Sequence, residues 1–347
     1  MPETQKIVHK KEETVLPSIV YLVIPCYNEE EVLPETARRL TEQLSSMQAQ
    51  GLAAPESRML FVDDGSRDAT WALIESLSRE NPFVRGLKLA HNRGHQNALL
   101  AGLMEARLHA DCAISLDADL QDDVSVLPQF LEKFREGCDV VYGVRNRRDT
   151  DTAFKRVTAQ GFYKFMHMLG VDVVYNHADY RLMSRRALDA LSEYREVNLF
   201  LRGIVPLIGY RSDYVYYDRH ERFAGESKYP LKKMISFALD GITSFSVRPL
   251  RLISRLGIFV SMASILGLLY ALISHFMGQT VAGWTAIICS IWLLGGIQLL
   301  CVGVVGGYVG KIYSEVKARP RYRIEEKAGF PLDSAAPSSG QQEEKRV

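Results

Sequence analysis

The chain has 347 residues, of which 47% are hydrophobic, and its 42 basic side chains nearly balance 41 acidic ones. This length allows one large domain or two ordinary ones, and a net charge of +1 excludes the strongly basic character of a general nucleic-acid-binding protein. Five scattered cysteines favour reduced thiols over a disulfide framework or a zinc site.

The N-terminal segment is polar and lacks the apolar core of a signal peptide. We therefore expect residues 1–17 to be a flexible N-terminus, and the domain that follows, residues 18–230, to lie in the cytosol.

From residue 18 onward, short apolar runs alternate with amphipathic helical patterns. Strands are predicted over residues 19–24, 59–62, 84–89, 112–116 and 139–143. Helices are predicted over residues 31–47, 69–80, 96–109 and 126–135. Repeated β-α-β units of this kind predict an α/β fold with a mostly parallel sheet. Such sheets bind ligands beyond the carboxyl ends of their strands, so the polar residues after each strand form the candidate site.

Two later segments are apolar on every face. Residues 256–277 and 284–309 contain no Lys, Arg, Asp or Glu, and at roughly 1.5 Å per residue each exceeds the hydrocarbon thickness of a bilayer. Basic residues flank the pair, so residues 251–312 are predicted to form a transmembrane hairpin with both ends in the cytoplasm. Residues 313–347 would follow as a basic segment and a disordered tail.

The segment before the hairpin, residues 231–250, has one apolar face. It is predicted to lie as an amphipathic helix in the membrane interface, although an ordinary helix packed on the domain would show the same pattern. Together these segments predict a multi-pass protein of the inner (cytoplasmic) membrane.

The strongest site signal directly follows the strand predicted at residues 112–116. Asp117, Asp119 and Gln121 are two residues apart, so in an extended segment their side chains point to the same side. Two carboxylates and an amide oxygen suit Mg²⁺ or Mn²⁺, which would neutralise the charge on a departing nucleoside diphosphate. A solvated loop is the alternative, because Asp-x-Asp occurs often by chance.

Two more strand ends carry related chemistry. The first predicted strand leads into Pro25-Cys26-Tyr27-Asn28-Glu29, and the second leads into Asp63-Asp64-Gly65-Ser66. A tyrosine ring can stack on a base, and carboxylates can accept hydrogen bonds from a base or a ribose. The second motif also fits a turn followed by a helix cap, which is compatible with binding.

Basic residues are placed to bind an acceptor that carries a phosphate. Arg145, followed by Arg147 and Arg148, lies just beyond a predicted strand, where a forked and permanently charged side chain suits a phosphate. A solvated patch, or one that faces anionic lipid, is the alternative. Arg202 is a second candidate. The loop with Gly225, Ser227 and Lys228 suits a mobile lid.

These motifs, and their order along the chain, resemble those of the family 2 inverting glycosyltransferases, which have the Rossmann-like GT-A fold. The similarity is closest to the polyprenyl-phosphate glycosyltransferases, which include dolichyl-phosphate mannose synthase and the bactoprenyl-phosphate glucosyltransferases. Beyond the three strand-end motifs it rests on Asn92-x-Gly94, Asp179-Tyr180-Arg181-Leu182-Met183-Ser184, Glu221-Arg222-x-Ala224-Gly225-x-Ser227-Lys228-Tyr229 and the apolar C-terminal part. It extends over residues 19–322. Asp123 departs from the family, which often has proline there.

The resemblance implies a role for individual residues. Those implied to bind the nucleotide sugar are Pro25, Tyr27, Glu29, Val62, Asp64, Asp117, Ala118, Asp119, Arg222 and Lys228. It implies that Asp119 and Gln121 hold the metal. It also implies that Asp119 and Asp179 are catalytic and that Arg145 and Arg202 bind the acceptor phosphate. Asp179 lies at the position of the family's proposed base, but it could equally orient the sugar or hold Arg181.

The activity implied is metal-dependent, inverting transfer of a hexose, glucose from UDP-glucose, to undecaprenyl phosphate at the cytoplasmic membrane face. The product would serve cell-envelope glycan modification after a flippase moves it, and the enzyme would be a homo-oligomer, a dimer or a tetramer. GDP-mannose, UDP-GlcNAc or a UDP-aminoarabinose derivative remain alternative donors, and a non-catalytic nucleotide-sugar-binding membrane subunit is a further alternative. Deletion from Leu256 onward is expected to leave nucleotide binding intact.

Overall fold

The computed structural model describes residues 16–146, 177–197, 200–218, 248–277 and 283–331. Most of the predicted N-terminal segment and interfacial helix lies outside the described residues, as do Arg147, Arg148, Arg222 and Lys228. The described chain divides into two compact units. The first unit contains the residues up to Asp119 together with those from Tyr322, and the second contains Leu120–Arg321.

The helices and strands are labelled in chain order. The strands are β1 (Val20–Cys26), β2 (Arg58–Asp63), β3 (Val84–Leu89), β4 (Cys112–Ser115), β5 (Val140–Arg145), β6 (His177–Ser184), β7 (Ser212–Tyr217) and β8 (Ile324–Ala328). The helices are α1 (Leu33–Ala49), α2 (Thr70–Glu80), α3 (His95–Ala106), α4 (Leu127–Arg135), α5 (Arg185–Glu193), α6 (Leu201–Leu207), α7 (Arg248–Phe276) and α8 (Trp284–Lys317).

The sheet of the first unit has the strand order β4-β1-β2-β3-β8, with β1 to β4 mutually parallel and β8 antiparallel to β3. This confirms the predicted parallel α/β arrangement. Helix α3 packs so closely on the sheet that a Cβ at Gly102 would lie 2.4 Å from Cγ1 of Val23 and 2.7 Å from Cγ2 of Val62. Only glycine allows this approach, which brings the first turn of α3 towards the strand ends.

The second unit contains strands and helices that the sequence patterns did not identify. Strand β5 pairs with β7 in parallel and with β6 in antiparallel orientation. Helix α5 follows β6 directly, and the Ser184 hydroxyl caps it by accepting a hydrogen bond from the Ala187 N–H at 3.0 Å. The sheet of this unit is therefore mixed, and the expectation of mostly parallel pairing applies to the first unit.

The apolar C-terminal segments form the long helices α7 and α8. Among the residues that the structure describes, one helical stretch, Leu293–Lys317, is long and apolar enough to cross a membrane. Several of its apolar side chains are exposed, including Leu299, Val302 and Val316. The predicted pair of spans, 256–277 and 284–309, and the multi-pass topology that depends on it, are therefore not confirmed.

Strand β8 lies within residues 313–347, which were predicted as a basic segment followed by a disordered tail, without a strand. The Lys88 Nζ lies 2.6 Å from Oε1 of Glu326, and the Lys327 Nζ lies 2.6 Å from Oε1 of Glu105. Ala328 is buried. This charged stretch forms a strand because it covers the edge of β3 and needs only one buried side. Deletion from Leu256 onward would remove β8 from the edge of the first unit. Such a deletion should therefore weaken nucleotide binding, contrary to the expectation from the sequence.

We predict that the turn after β8 is tightly constrained. Gly329 has φ +75°, and a Cβ there would lie 2.8 Å from the Val84 carbonyl oxygen, whereas Gly51 has φ +67° and no described atom within 4 Å. Gly51→Ala should cost about 1 kcal/mol for its left-handed backbone. Gly329→Ala should cost about 1–3 kcal/mol more, because the added methyl group overpacks the site. Thermal unfolding of the detergent-solubilised chain measures both, and equal shifts of the midpoint would contradict the prediction.

Candidate functional site

The carboxyl ends of β1 and β2 place four of the predicted nucleotide-binding residues in one region. Pro25 and Val62 are register partners and are buried. Tyr27 follows and is 42% exposed. The backbone N–H of Glu29 donates to the Thr70 hydroxyl at 3.0 Å. An exposed aromatic ring beyond the ends of parallel strands offers a stacking face for a planar ligand group such as a base.

Asn28 fixes the turn in which Tyr27 lies. It has φ +53°, a left-handed conformation that asparagine tolerates better than most residues. Its backbone N–H donates to the Ser66 hydroxyl at 3.0 Å, and its side-chain oxygen accepts from the Arg67 N–H at 2.9 Å. The loops after β1 and β2 are thus tied together before any ligand binds.

The Asp64 carboxylate holds the loop that leads into α3. It accepts hydrogen bonds from the backbone N–H groups of Arg93 at 2.7 Å and Gly94 at 2.8 Å. Burial raises the pKa of the Asp64 carboxyl, and the two backbone donors oppose that rise. A Cβ at Gly65, with φ +68°, would lie 2.7 Å from the Asn92 nitrogen, so glycine is required there. Asp64 therefore shapes the site, in addition to its predicted contact with the nucleotide.

The Asp-Ala-Asp motif after β4 is held by its backbone. The Thr36 hydroxyl, buried on α1, donates to the Ala118 carbonyl at 2.8 Å. Asp119 is buried, with 8% of its surface exposed. The Asp117 carboxylate lies 3.7 Å from Nε2 of His95 at the start of α3. The motif thus stands at the same end of the sheet as the loops after β1 and β2.

The oxygen donors of the motif fit a hard divalent cation. Asp117 and Asp119 offer two carboxylates, which Mg²⁺ and Mn²⁺ prefer as ligands. The extended conformation predicted for the motif is not kept, because residues 118–119 form a turn and Leu120 has a left-handed backbone with φ +56°. No group of three His, Cys, Asp or Glu side chains that could hold a metal gathers among the described residues. Such a cation would therefore need further ligands, and the oxygens of a bound diphosphate could supply them.

In the second unit, Asp179 on β6 is held by two arginines. Arg202 makes a two-pronged contact with it, Nε to Oδ1 at 3.2 Å and Nη2 to Oδ2 at 3.1 Å. Arg181 donates to Oδ1 at 3.2 Å and also reaches the Leu201 carbonyl at 3.4 Å, at the start of α6. Burial lowers the pKa of Arg181, and the Asp179 charge opposes that change. Asp179 is therefore held in place by both arginines, and each of its carboxylate oxygens accepts at least one hydrogen bond.

Arg145 belongs to a different cluster of the same unit, which the sequence analysis missed. Its Nη2 lies 3.3 Å from Oδ1 of Asp122, and its Nε donates to the Tyr217 hydroxyl at 3.2 Å. That hydroxyl donates to the same Asp122 oxygen at 2.6 Å. Burial lowers the pKa of Arg145, but Tyr217 and Asp122 outweigh it and the net shift is upward. The cluster keeps the guanidinium charged and fixed.

Asp122 also has an unusual feature of its own. Its Oδ2 atom is buried and has no hydrogen-bond partner among the described residues. The only sequence signal for Asp122 was its position one residue after Gln121. The two arginines predicted to bind one phosphate are thus each fixed by a different carboxylate, Arg145 by Asp122 and Arg202 by Asp179.

We predict that Asp64→Asn loosens the loop before α3. An amide has one acceptor oxygen, so its NH₂ group would face one of the two backbone N–H donors. The expected loss of stability is about 1–3 kcal/mol, the usual range for a buried donor left unsatisfied. Thermal unfolding measures it. Glu42→Gln is the matched control, because that carboxylate is 63% exposed and its neutralisation should change stability by less than about 0.5 kcal/mol. Equal effects would contradict the assigned role.

The sequence is similar to a known protein family and to several known proteins. Residues 21–192 match the model of the family described as Glycosyl transferase family 2. The uncharacterized glycosyltransferase YkoT of Bacillus subtilis (strain 168) is 56% identical over 307 residues, 88% of this chain and 91% of the relative. The SfII prophage-derived bactoprenol glucosyl transferase of Shigella flexneri is 40% identical over 307 residues, 88% of this chain and 97% of the relative.

Solved structures are more distant. The mannosyl-3-phosphoglycerate synthase from Rubrobacter xylanophilus is 15% identical, with a TM-score of 0.45 over 69% of this chain and 75% of that chain. A similarity of this size supports no comparison of individual residues. The sequence relatives, which extend over nearly the whole chain, show that it belongs to glycosyl transferase family 2.

Proposed function

We propose that this chain transfers glucose from UDP-glucose to undecaprenyl phosphate at the cytoplasmic face of the membrane. The main support is the 40% identity, over 97% of its length, to a relative named bactoprenol glucosyl transferase. That identity extends beyond residues 21–192, where the family model matches, into the C-terminal part of the chain. The lipid-linked glucose would serve cell-envelope glycan modification, with a flippase acting next.

The first unit suits the nucleotide sugar. Tyr27 offers a stacking face for the base, and the loops after β1 and β2 are fixed by their own hydrogen bonds. A site organised in advance loses less entropy when it binds its ligand. Asp117 and Asp119 of this unit, together with Gln121, would hold the metal ion, Mg²⁺ or Mn²⁺. When bound, such a cation supplies positive charge beside the leaving diphosphate.

The second unit suits the acceptor phosphate. Arg145 and Arg202 are permanent cations, and their guanidinium side chains are 21% and 32% exposed. A guanidinium that is already fixed by a carboxylate can present its remaining N–H groups to a phosphate without a large loss of side-chain entropy. We therefore propose that both arginines orient the lipid phosphate.

The reaction is a displacement at the anomeric carbon. A phosphate oxygen of the lipid forms a bond to C1 of glucose, the bond from C1 to the UDP oxygen breaks, and UDP leaves with the electron pair. A phosphate monoester has a second pKa of about 6, so the attacking oxygen is largely deprotonated at neutral pH. No strong base is needed. Asp179, engaged by Arg181 and Arg202, acts as a positioning residue, and the rate enhancement comes from orientation and electrostatic stabilisation.

The proposal is tested with the purified full-length protein in detergent. It is incubated with undecaprenyl phosphate, Mg²⁺ or Mn²⁺, and a panel of UDP-glucose, UDP-GlcNAc, a UDP-aminoarabinose derivative and GDP-mannose. Release of nucleoside diphosphate and the mass of the lipid product are measured. A product one hexose heavier, formed from UDP-glucose, is the expected result.

Other outcomes separate the alternatives. A product from another donor would retain the enzyme class and change the sugar. Nucleotide binding without any lipid product would favour a non-catalytic nucleotide-sugar-binding subunit. A dimer or tetramer also stays a prediction, which light scattering of the purified protein measures.

We predict that Asp119→Ala abolishes turnover. Its carboxylate would hold the metal that stabilises the leaving group, and the loss of such electrostatic stabilisation costs about 100-fold or more in kcat. Steady-state UDP release with saturating Mg²⁺ or Mn²⁺ measures the effect. Turnover within a few-fold of the unchanged enzyme would remove Asp119 from the metal site.

We also predict that Asp179→Asn and Arg202→Gln produce the same defect. If Asp179 positions Arg202, each change should raise KM for undecaprenyl phosphate by about tenfold, the value of one charge-assisted hydrogen bond. The double variant should then be no worse than either single variant. If Asp179 were a base, its substitution alone would lower kcat by about 100-fold or more. Initial-rate kinetics with varied lipid phosphate distinguish the two.

A further inference from the structure

The C-terminal end of α8 contacts the segment that joins α5 to α6. Oε2 of Glu315 accepts a hydrogen bond from the Val197 N–H at 2.7 Å. Nη1 of Arg321 donates to the Tyr194 carbonyl at 3.1 Å. Glu315 is the single acidic residue in the sequence of α8. Because both contacts are made to backbone atoms, they fix the path of the segment Tyr194–Val197.

This segment lies between the elements that carry the Asp179–Arg202 ion pair. Strand β6, which precedes α5, carries Asp179 and Arg181, and α6 carries Arg202. The ion pair has its own supports, because Arg181 binds both Asp179 and the Leu201 carbonyl at the start of α6. Glu315 and Arg321 therefore join the segment between these two elements to α8 and to the residues that follow it.

Charged side chains surround the contact between α8 and the segment Tyr194–Val197. Burial raises the pKa of Glu196, the nearby Glu315 carboxylate raises it further, and the Arg321 guanidinium lowers it. Two acidic side chains are thus kept close together with one basic side chain beside them. Repulsion between the carboxylates disfavours this arrangement, so the two hydrogen bonds to the segment and the Arg321 charge must compensate for it.

We propose that Glu315 and Arg321 are positioning residues that set the Asp179–Arg202 pair at the depth at which a membrane lipid presents its phosphate. The apolar stretch Leu293–Lys317 has the length and composition to fix the height of α8 in a bilayer. A phosphate anchored by a long lipid chain is confined to a narrow layer, and a misplacement of about 1 Å can cost up to about 100-fold in rate. The inference rests on the proposed function, because it takes undecaprenyl phosphate as the acceptor.

The test compares two acceptors with the full-length protein reconstituted in vesicles. Undecaprenyl phosphate is anchored in the bilayer, whereas geranyl phosphate is short enough to approach from solution. Glu315→Ala, which removes the acceptor of the Val197 N–H, and Arg321→Gln should each lower kcat/KM for undecaprenyl phosphate by about tenfold, the effect of one hydrogen bond to a charged group. The same variants should change kcat/KM for geranyl phosphate by less than about twofold, because that phosphate is not held at a fixed depth.

Lys317→Gln is the matched control for Arg321→Gln. It removes the same charge from the same end of α8, where the Lys317 ammonium lies 4.3 Å from the centre of the Tyr313 ring. It should leave the ratio of the two kcat/KM values unchanged. A ratio that falls in Lys317→Gln as much as in Arg321→Gln would assign the effect to charge near the membrane and overturn the inference.

Two further outcomes would also overturn it. Equal losses on both acceptors would show that Glu315 and Arg321 only support the local fold, and no loss on either would show that their contacts are incidental. Failure of the unchanged protein to glycosylate either lipid, despite measurable UDP binding, would instead overturn the proposed function itself.

Discussion

A carboxylate moved from water into a protein interior loses several kcal/mol of solvation unless donors replace the water. The arrangement of each unit depends on which donors replace the water around three buried aspartates. Asp64 is stabilised by two backbone N–H groups, Asp179 by two guanidinium groups, and Asp122 by one arginine and one tyrosine. Since each partner becomes fixed in turn, burying the carboxylates also fixes the loops and cations around them.

The buried aspartates of the two units accept hydrogen bonds from different kinds of donor. The donors are uncharged in the first unit and include positively charged groups in the second. In the first unit the donors to Asp64 are backbone N–H groups, which carry no formal charge and so do not cancel its negative charge. In the second unit the donors include the guanidinium groups of Arg145, Arg181 and Arg202. Acidic oxygens suit a divalent cation, and fixed cations suit a phosphate.

Local patterns were sufficient to predict most of the first unit. Strand β3 was predicted at residues 84–89 and spans Val84–Leu89, because its alternation and bounding turns are local features. The charged stretch Ile324–Ala328 was predicted as part of a basic segment and not as a strand, since its strand conformation depends on pairing with β3, more than 230 residues earlier in the chain. An edge strand with one exposed face has no apolar signature of its own.

The motifs identified several candidate site residues, but they did not indicate the hydrogen-bond partners of those residues. Arg145 and Arg202 were predicted as phosphate ligands, but nothing in the sequence linked Arg145 to Tyr217, 72 residues away, or Asp122 to Tyr217, 95 residues away. Hydrogen bonds between distant side chains follow from the tertiary fold and leave no periodic signal. For Asp179 the sequence left a base and a partner of Arg181 as open alternatives, and the structure adds the contact with Arg202, 23 residues away, which no local pattern indicated.

The position of β8 in the chain also has a consequence for biosynthesis. The strand that covers the edge of β3 follows α8, so the ribosome makes the apolar helices before the first unit can complete its sheet. During that interval β3 exposes unpaired backbone groups, which invite pairing with another chain. Completion of the first unit is thereby coupled to the folding of the apolar helices, because a nascent chain whose helices aggregate would pair β8 with β3 late or not at all. Chaperones and proteases recognise exposed strand edges of this kind, which would limit the accumulation of chains with an incomplete sheet.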